Sequence, residues 1–126
     1  MWKVYAYSKC STCRRALKFL EDAGLPHEVI PIRERPPSRE ELARALDDAG
    51  GAIRRLFNTS GIDYRAQKVG ELLDQLSPVE ALALLASNGN LVKRPLVVAE
   101  SFVSVGFTPE LWTSPPKAKP VDKAAK

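Results

Sequence analysis

Residues 2–14 read WKVYAYSKCSTCR, and within them the chain changes its period. Residues 2–7 alternate and are rich in aromatic and β-branched side chains, the pattern of a strand. From Ser11 onward Cys13, Ala16, Leu17 and Leu20 fall at i, i+3, i+4 and i+7. Arg14, Arg15, Lys18 and Glu21 lie off that stripe, so this is one face of an amphipathic helix. A strand that runs straight into a helix commits the start of the chain to a β–α unit. The only two cysteines of the sequence, Cys10 and Cys13, stand at the switch.

The remaining elements follow from their punctuation. Gly24 predicts the helix stop, and residues 27–32 (HEVIPI) read as a second strand. Pro31 removes a ladder donor, so that strand is expected to lie near an edge or to end there. Ser38 with Glu41 forms a capping box ahead of Leu42, Ala45 and Leu46, and Gly50-Gly51 closes that helix. Residues 52–57 read as a further turn or two, residues 57–64 as a loop, and residues 65–76 as a weaker helix broken at Gly70. Ser77 and Glu80 make a second capping box, with Pro78 at the first helical position. Residues 94–100 and 101–107 read as two short strands of a hairpin. Thr108 is placed to cap a last short helix that starts at Pro109. The order is strand–helix–strand, a helical block, then strand–strand–helix. This is an α/β chain: a thioredoxin-like mixed sheet (split βαβ plus ββα) with an inserted helical block over about residues 36–89.

At 126 residues the chain supports one core, which the pattern assigns to residues 1–114. No apolar run approaches the ~20 residues of a membrane helix, and no cleavable leader is legible. No membrane association is therefore expected, and the expected compartment is cytoplasmic. The net charge of +4 invites a nucleic-acid reading, but its distribution argues against one. Residues 115–126 hold four lysines and one aspartate, which leaves a net charge of only +1 on the first 114 residues. That stretch of Pro, Ala and Lys is expected to be a disordered basic tail, and no specific nucleic acid is expected as a partner.

Cys-x-x-Cys admits three readings: half of a zinc site, a redox pair, or two structural thiols. Zinc takes about four ligands. His27 is the only histidine and there is no third cysteine, so no metal is expected. Two buried structural cysteines remain the plain alternative. The position favours redox chemistry. A helix that starts at Ser11 or Thr12 puts Cys10 at its N-cap, where free N–H groups and the macrodipole favour a thiolate. Arg14 and Arg15 add positive charge nearby. Cys13 falls on the apolar stripe and is expected to be shielded. An exposed attacking thiol with a shielded resolving thiol one turn later is the expected arrangement. The same helix start, with Ser11, Thr12 and Arg14, suits an oxyanion. Arg94-Pro95 at a strand start is unremarkable by itself.

Taken together, YSKCSTCRRALKFLEDAGL (7–25), LFN (56–58) with Tyr64, LSPVEAL (76–82), LVKRPLVV (91–98) and VGF (105–107) resemble the arsenate reductase (ArsC)/Spx family. The resemblance implies that Cys10 is the catalytic or redox-sensing cysteine. It also implies that Arg94 binds the oxyanion and that Pro95 is a cis-proline facing Cys10. Cys13 matches the second cysteine of the Spx-like branch. Two positions depart from the reductases of the family: Ala6 stands where they carry a histidine, and Thr59 and Ser60 where they carry an arginine. The function so implied is a thiol-dependent oxidoreductase. Cys10 attacks an oxyanion or disulfide, and Cys13 or glutathione resolves the intermediate. No cofactor is bound; glutathione, a glutaredoxin or a thioredoxin is the expected electron donor. The alternative is an Spx-type redox-switched regulator that docks on the RNA polymerase α subunit.

Overall fold

The computed structural model describes residues 1–114. The tail expected over residues 115–126 lies outside them. The elements in order are β1 (Trp2–Ala6), α1 (Ser11–Asp22), β2 (His27–Pro31), α2 (Arg39–Asp48), a 3-10 turn (Ile53–Leu56) and α3 (Ile62–Ala66). They continue with α4 (Val69–Leu72), α5 (Pro78–Ser87), a second 3-10 turn (Gly89–Leu91), β3 (Leu96–Val98), β4 (Val103–Val105) and α6 (Pro109–Thr113).

The sheet order is β2-β1-β3-β4. β1 and β2 are parallel with Val4 opposite Val29; β1 and β3 are antiparallel with Val4 opposite Val97. β2 is an edge strand, where the missing N–H of Pro31 costs no ladder bond. Period-2 alternation divides the core in two. Val4, Ala6 and Val97 face Cys13, Ala16, Leu20 and Trp112 of α1 and α6. Tyr5, Leu96 and Val98 face Leu42, Ala45, Ala81 and Leu85 of the helical block. The largest buried side chain, Trp112, is held in place by its indole N–H, which donates to Ser104 Oγ (2.9 Å).

The helix boundaries obey local rules. α1 ends in a left-handed Gly24 (φ +69°), with Leu25 N–H bonded to Leu20 O and Gly24 N–H to Glu21 O. α2 ends the same way at Gly50 and Gly51. Both capping boxes, Ser38/Glu41 and Ser77/Glu80, are formed. Gly89 is required by close approach, because a Cβ there would lie 1.8 Å from Ile32 O.

Three local expectations are corrected. Gly70 lies inside α4; the break falls at Lys68, whose φ is +52°. Part of the expected loop is helical, since α3 starts at Ile62. Thr108 does not cap α6 through its side chain, and its buried Oγ1 has no partner. Among the described residues no helix is long and apolar enough to cross a membrane.

Candidate active site

α1 starts where the period changes, and Cys10 is its N-cap in extended conformation (φ −95°, ψ 118°). The cap acceptor is Cys10 Sγ itself, which takes the Cys13 N–H at 3.4 Å. Ser11, expected as an anion donor, is exposed in the first turn beside half-buried Thr12. The loop is drawn tight by Cys10 N–H to Tyr7 O (3.0 Å) and by Tyr7 N–H to Cys13 Sγ (3.5 Å). Both cysteines are free thiols, Cys13 fully buried and Cys10 half-buried rather than exposed. Burial pushes the Cys13 thiol up to about 12. The hydrogen bond and charge of Cys10 push in the same direction, while the Tyr7 N–H and the Arg94 charge oppose them. Arg14 donates from Nη1 to Ser8 O at 3.2 Å, at the foot of the loop. Arg15 does not serve Cys10 in this way: its guanidinium stacks 5.0 Å from the Phe107 ring centroid.

Arg94 reaches this loop from the start of β3, the strand beside β1. A short antiparallel bridge pairs Phe57 with Val92, flanked by Asn58 N–H to Leu91 O (2.7 Å) and Lys93 N–H to Leu56 O (2.8 Å). The bridge delivers the Arg94–Pro95 pair, joined by a cis bond, to the start of β3. Gly106 N–H donates to Pro95 O at 2.9 Å. Arg94 lies over the Tyr7 ring at 5.3 Å, and its Nη1 is buried without a protein partner. An unpaired buried donor of this kind costs about 1–3 kcal/mol, so the site carries latent affinity for an acceptor.

Arg33 was not legible in the sequence. Its Nη1 donates to the Tyr7 hydroxyl at 2.9 Å, and its guanidinium lies 4.9 Å from the same ring centroid. Only the parallel register could have revealed it: Pro31 sits opposite Ala6, so Arg33 emerges at the strand ends that also launch the cysteine loop. Tyr7, Arg33 and Arg94 open onto a cavity of about 340 Å³, whose lining also includes Asn58, Asp63 and Asn90. Neither cysteine is in its wall; Tyr7 and Arg94 connect the two. Asp63 is held by the side-chain amides of Asn88 and Asn90, each 3.1 Å from Oδ2. Among the described residues no group of three or more His, Cys, Asp or Glu side chains is placed to hold a metal ion.

The sheet, with a thiol pair at the first helix start and a cis-proline at the adjacent strand, defines a thioredoxin-like protein. More narrowly, the chain belongs to the ArsC family, whose model matches residues 5–114. It is 47% identical over 103 residues to the uncharacterized protein YusI of Bacillus subtilis, covering 82% of this chain and 87% of YusI. The arsenate reductase from Vibrio cholerae is similar in structure, with a TM-score of 0.75 and 31% identity. That match covers 90% of this chain and 95% of the reductase. The global transcriptional regulator Spx of Listeria innocua is 26% identical over 107 residues, 85% of this chain and 80% of Spx.

Proposed function

We propose that this chain is a thiol-dependent oxidoreductase in which Cys10 attacks and Cys13 resolves. The observation that carries the reading is the asymmetry of the pair. Cys10 Sγ sits at a helix start and accepts a backbone N–H, while Cys13 is buried and held protonated. The attacking sulfur is therefore assigned to Cys10. With a disulfide substrate, Cys10 thiolate attacks one sulfur, the S–S bond breaks, and a thiolate leaves. Cys10 is then uncharged, which removes its electrostatic hold on the Cys13 proton. Burial still opposes ionisation, but the Tyr7 N–H and Arg94 favour it. Cys13 loses its proton to solvent and attacks Cys10, expelling the second thiolate and closing a Cys10–Cys13 disulfide. The substrate gains two electrons, and an external thiol (glutathione, or a glutaredoxin or thioredoxin) returns them. With arsenate, Cys10 displaces one oxygen as water to give a thiol-arsenate ester. Attack by a second thiol on Cys10 sulfur then releases arsenite. Arg94, with the Ser11, Thr12 and Arg14 turn, supplies charge and donors for the oxyanion.

The test is turnover of arsenate and of a model disulfide with each donor. Cys10→Ser should abolish both activities, and Cys13→Ser should trap an adduct on Cys10 visible by mass spectrometry. Turnover that survives Cys10→Ser would overturn the reading. A second reading is favoured by the paired cysteines together with the Spx relative: a redox-switched regulator. Capture of the RNA polymerase α subunit that differs between the reduced and the oxidised chain, without turnover, would decide for it.

A further inference from the structure

The cavity beside the cysteine loop is larger than a tetrahedral oxyanion requires. Its volume of about 340 Å³ is within the ~300–1,000 Å³ range of pockets for small organic ligands. Its charges are also sorted. Arg33 and Arg94 share the Tyr7 ring at 4.9 and 5.3 Å, and Arg94 Nη1 is buried without a partner. Arg33 uses one donor on the Tyr7 hydroxyl, which fixes its fork at the cavity mouth. Two cations gathered on one ring repel each other until an anion joins them, and a guanidinium fork matches a carboxylate. The lining also carries Asp63, whose Oδ2 already accepts from two amides, so a ligand's negative charge is favoured at Arg33 and Arg94.

Resting on the redox reading above, we propose that Arg33 is a specificity-determining residue and that the preferred substrate is a carboxylate-bearing disulfide. Its carboxylate is gripped by Arg33 and Arg94 across Tyr7 while its sulfur meets Cys10. Tyr7 links the two: it lines the cavity, and its backbone carbonyl accepts the Cys10 N–H at 3.0 Å. Cys10 thiolate forms a bond to the near sulfur, the substrate S–S bond breaks, and the carboxylate-bearing thiolate leaves. Cys13 then closes the Cys10–Cys13 disulfide and releases the second thiolate, its proton passing to solvent.

The experiment compares the oxidation rate of the reduced protein by 3,3′-dithiodipropionate, a dianion, and by the neutral bis(2-hydroxyethyl) disulfide. A parallel calorimetric titration uses 3,3′-thiodipropionate, which has the carboxylates but no S–S bond, on wild type and on Cys10→Ser. The wild type should prefer the dianion. Arg33→Gln should lower the ratio of the two rate constants, and the thioether affinity, on the order of tenfold. Arg33→Lys should restore part of each. Arg33 is exposed, so these variants are expected to fold. Oxidation of Cys10 at a ratio indifferent to Arg33, with no thioether binding, would overturn the proposal and leave the redox reading standing. Arg33-dependent thioether binding without oxidation by either disulfide would support the carboxylate site and overturn the redox reading.

Discussion

Cys13 carries a proton that its surroundings make hard to remove, and this has a consequence for stability. The folded chain keeps the thiol neutral to about pH 12, whereas the unfolded chain ionises it near its ordinary value of 9.0. A raised folded pKa contributes stability that is complete below the unfolded value and is lost as the pH rises toward the folded one. Urea unfolding of wild type and Cys13→Ala should thus differ by a constant amount up to about pH 8.5. Above it the wild type should lose stability relative to the variant; parallel curves to pH 11 would contradict the assignment. Arg94 is the other residue whose environment sets its behaviour. Arg94→Ala should weaken anion-dependent activity on the order of ten- to a hundredfold, equivalent to one charge-assisted hydrogen bond. Arg94→Lys should recover part of that, because an ammonium lacks the fork. Activity unchanged in Arg94→Ala would remove it from the site.

At the scale of elements, one glutamate fastens the helical block to the sheet. Glu41 closes the capping box of α2 by accepting the Ser38 N–H (3.0 Å). The same carboxylate accepts from the Tyr5 hydroxyl (2.7 Å) and Lys3 Nζ (3.1 Å), both on β1. Burial disfavours the charged form, but the Ser38 N–H, the Tyr5 hydroxyl and Lys3 outweigh it and lower the pKa from 4.5. A lowered folded pKa means stability that is present above about 4.5 and lost as the pH falls below it. Glu41→Gln should cost about 1–2 kcal/mol at pH 7, from the cap and the charged hydrogen bonds. The gap between wild type and variant should narrow below pH 4. A variant as stable as wild type at pH 7 would mean the network contributes nothing net. α2 also holds the β3–β4 hairpin: Arg44 donates to Ala99 O and Glu100 O, and Asp48 accepts the Val103 N–H at 2.8 Å. Cysteine loop, helical block and hairpin are therefore mechanically joined through β1 and α2.

For the whole molecule, the core closes at Trp112, which is fully buried in one cluster with Val4, Ala16 and Phe102. Residues 1–114 are accordingly expected to fold alone. A chain ending at Ser114 should unfold within about 0.5 kcal/mol of the full chain, the range for surface changes. A chain ending at Phe107, which removes Trp112 and its bond to Ser104, should lose about 3–5 kcal/mol or fail to fold. Chemical denaturation of both truncations checks the boundary; a large loss for the Ser114 chain would place residues 115–126 within the folding unit.

The parts of this protein legible in its sequence are those controlled by neighbours along the chain. The strand-to-helix switch, both capping boxes, the stops at Gly24 and Gly50-Gly51 and the edge position implied by Pro31 each depend on local periodicity, a missing N–H or a permitted positive φ. The spacing of Cys10 and Cys13 and the burial of Cys13 were legible for the same reason, whereas Cys10 was expected exposed and is half-buried. Where local signals were weak, they misled: Gly70 suggested a break that tertiary packing moved to Lys68, and Thr108 suggested a cap that burial denied it. What only the tertiary structure decided is the company those cysteines keep. Arg94 reaches the loop through the Phe57–Val92 bridge, and Arg33 through the parallel register of β1 and β2. Contacts of that kind join residues more than 20 positions apart, as in the Arg33–Tyr7 hydrogen bond. No periodicity records them, because they exist only once the strands have paired and the two cores have closed.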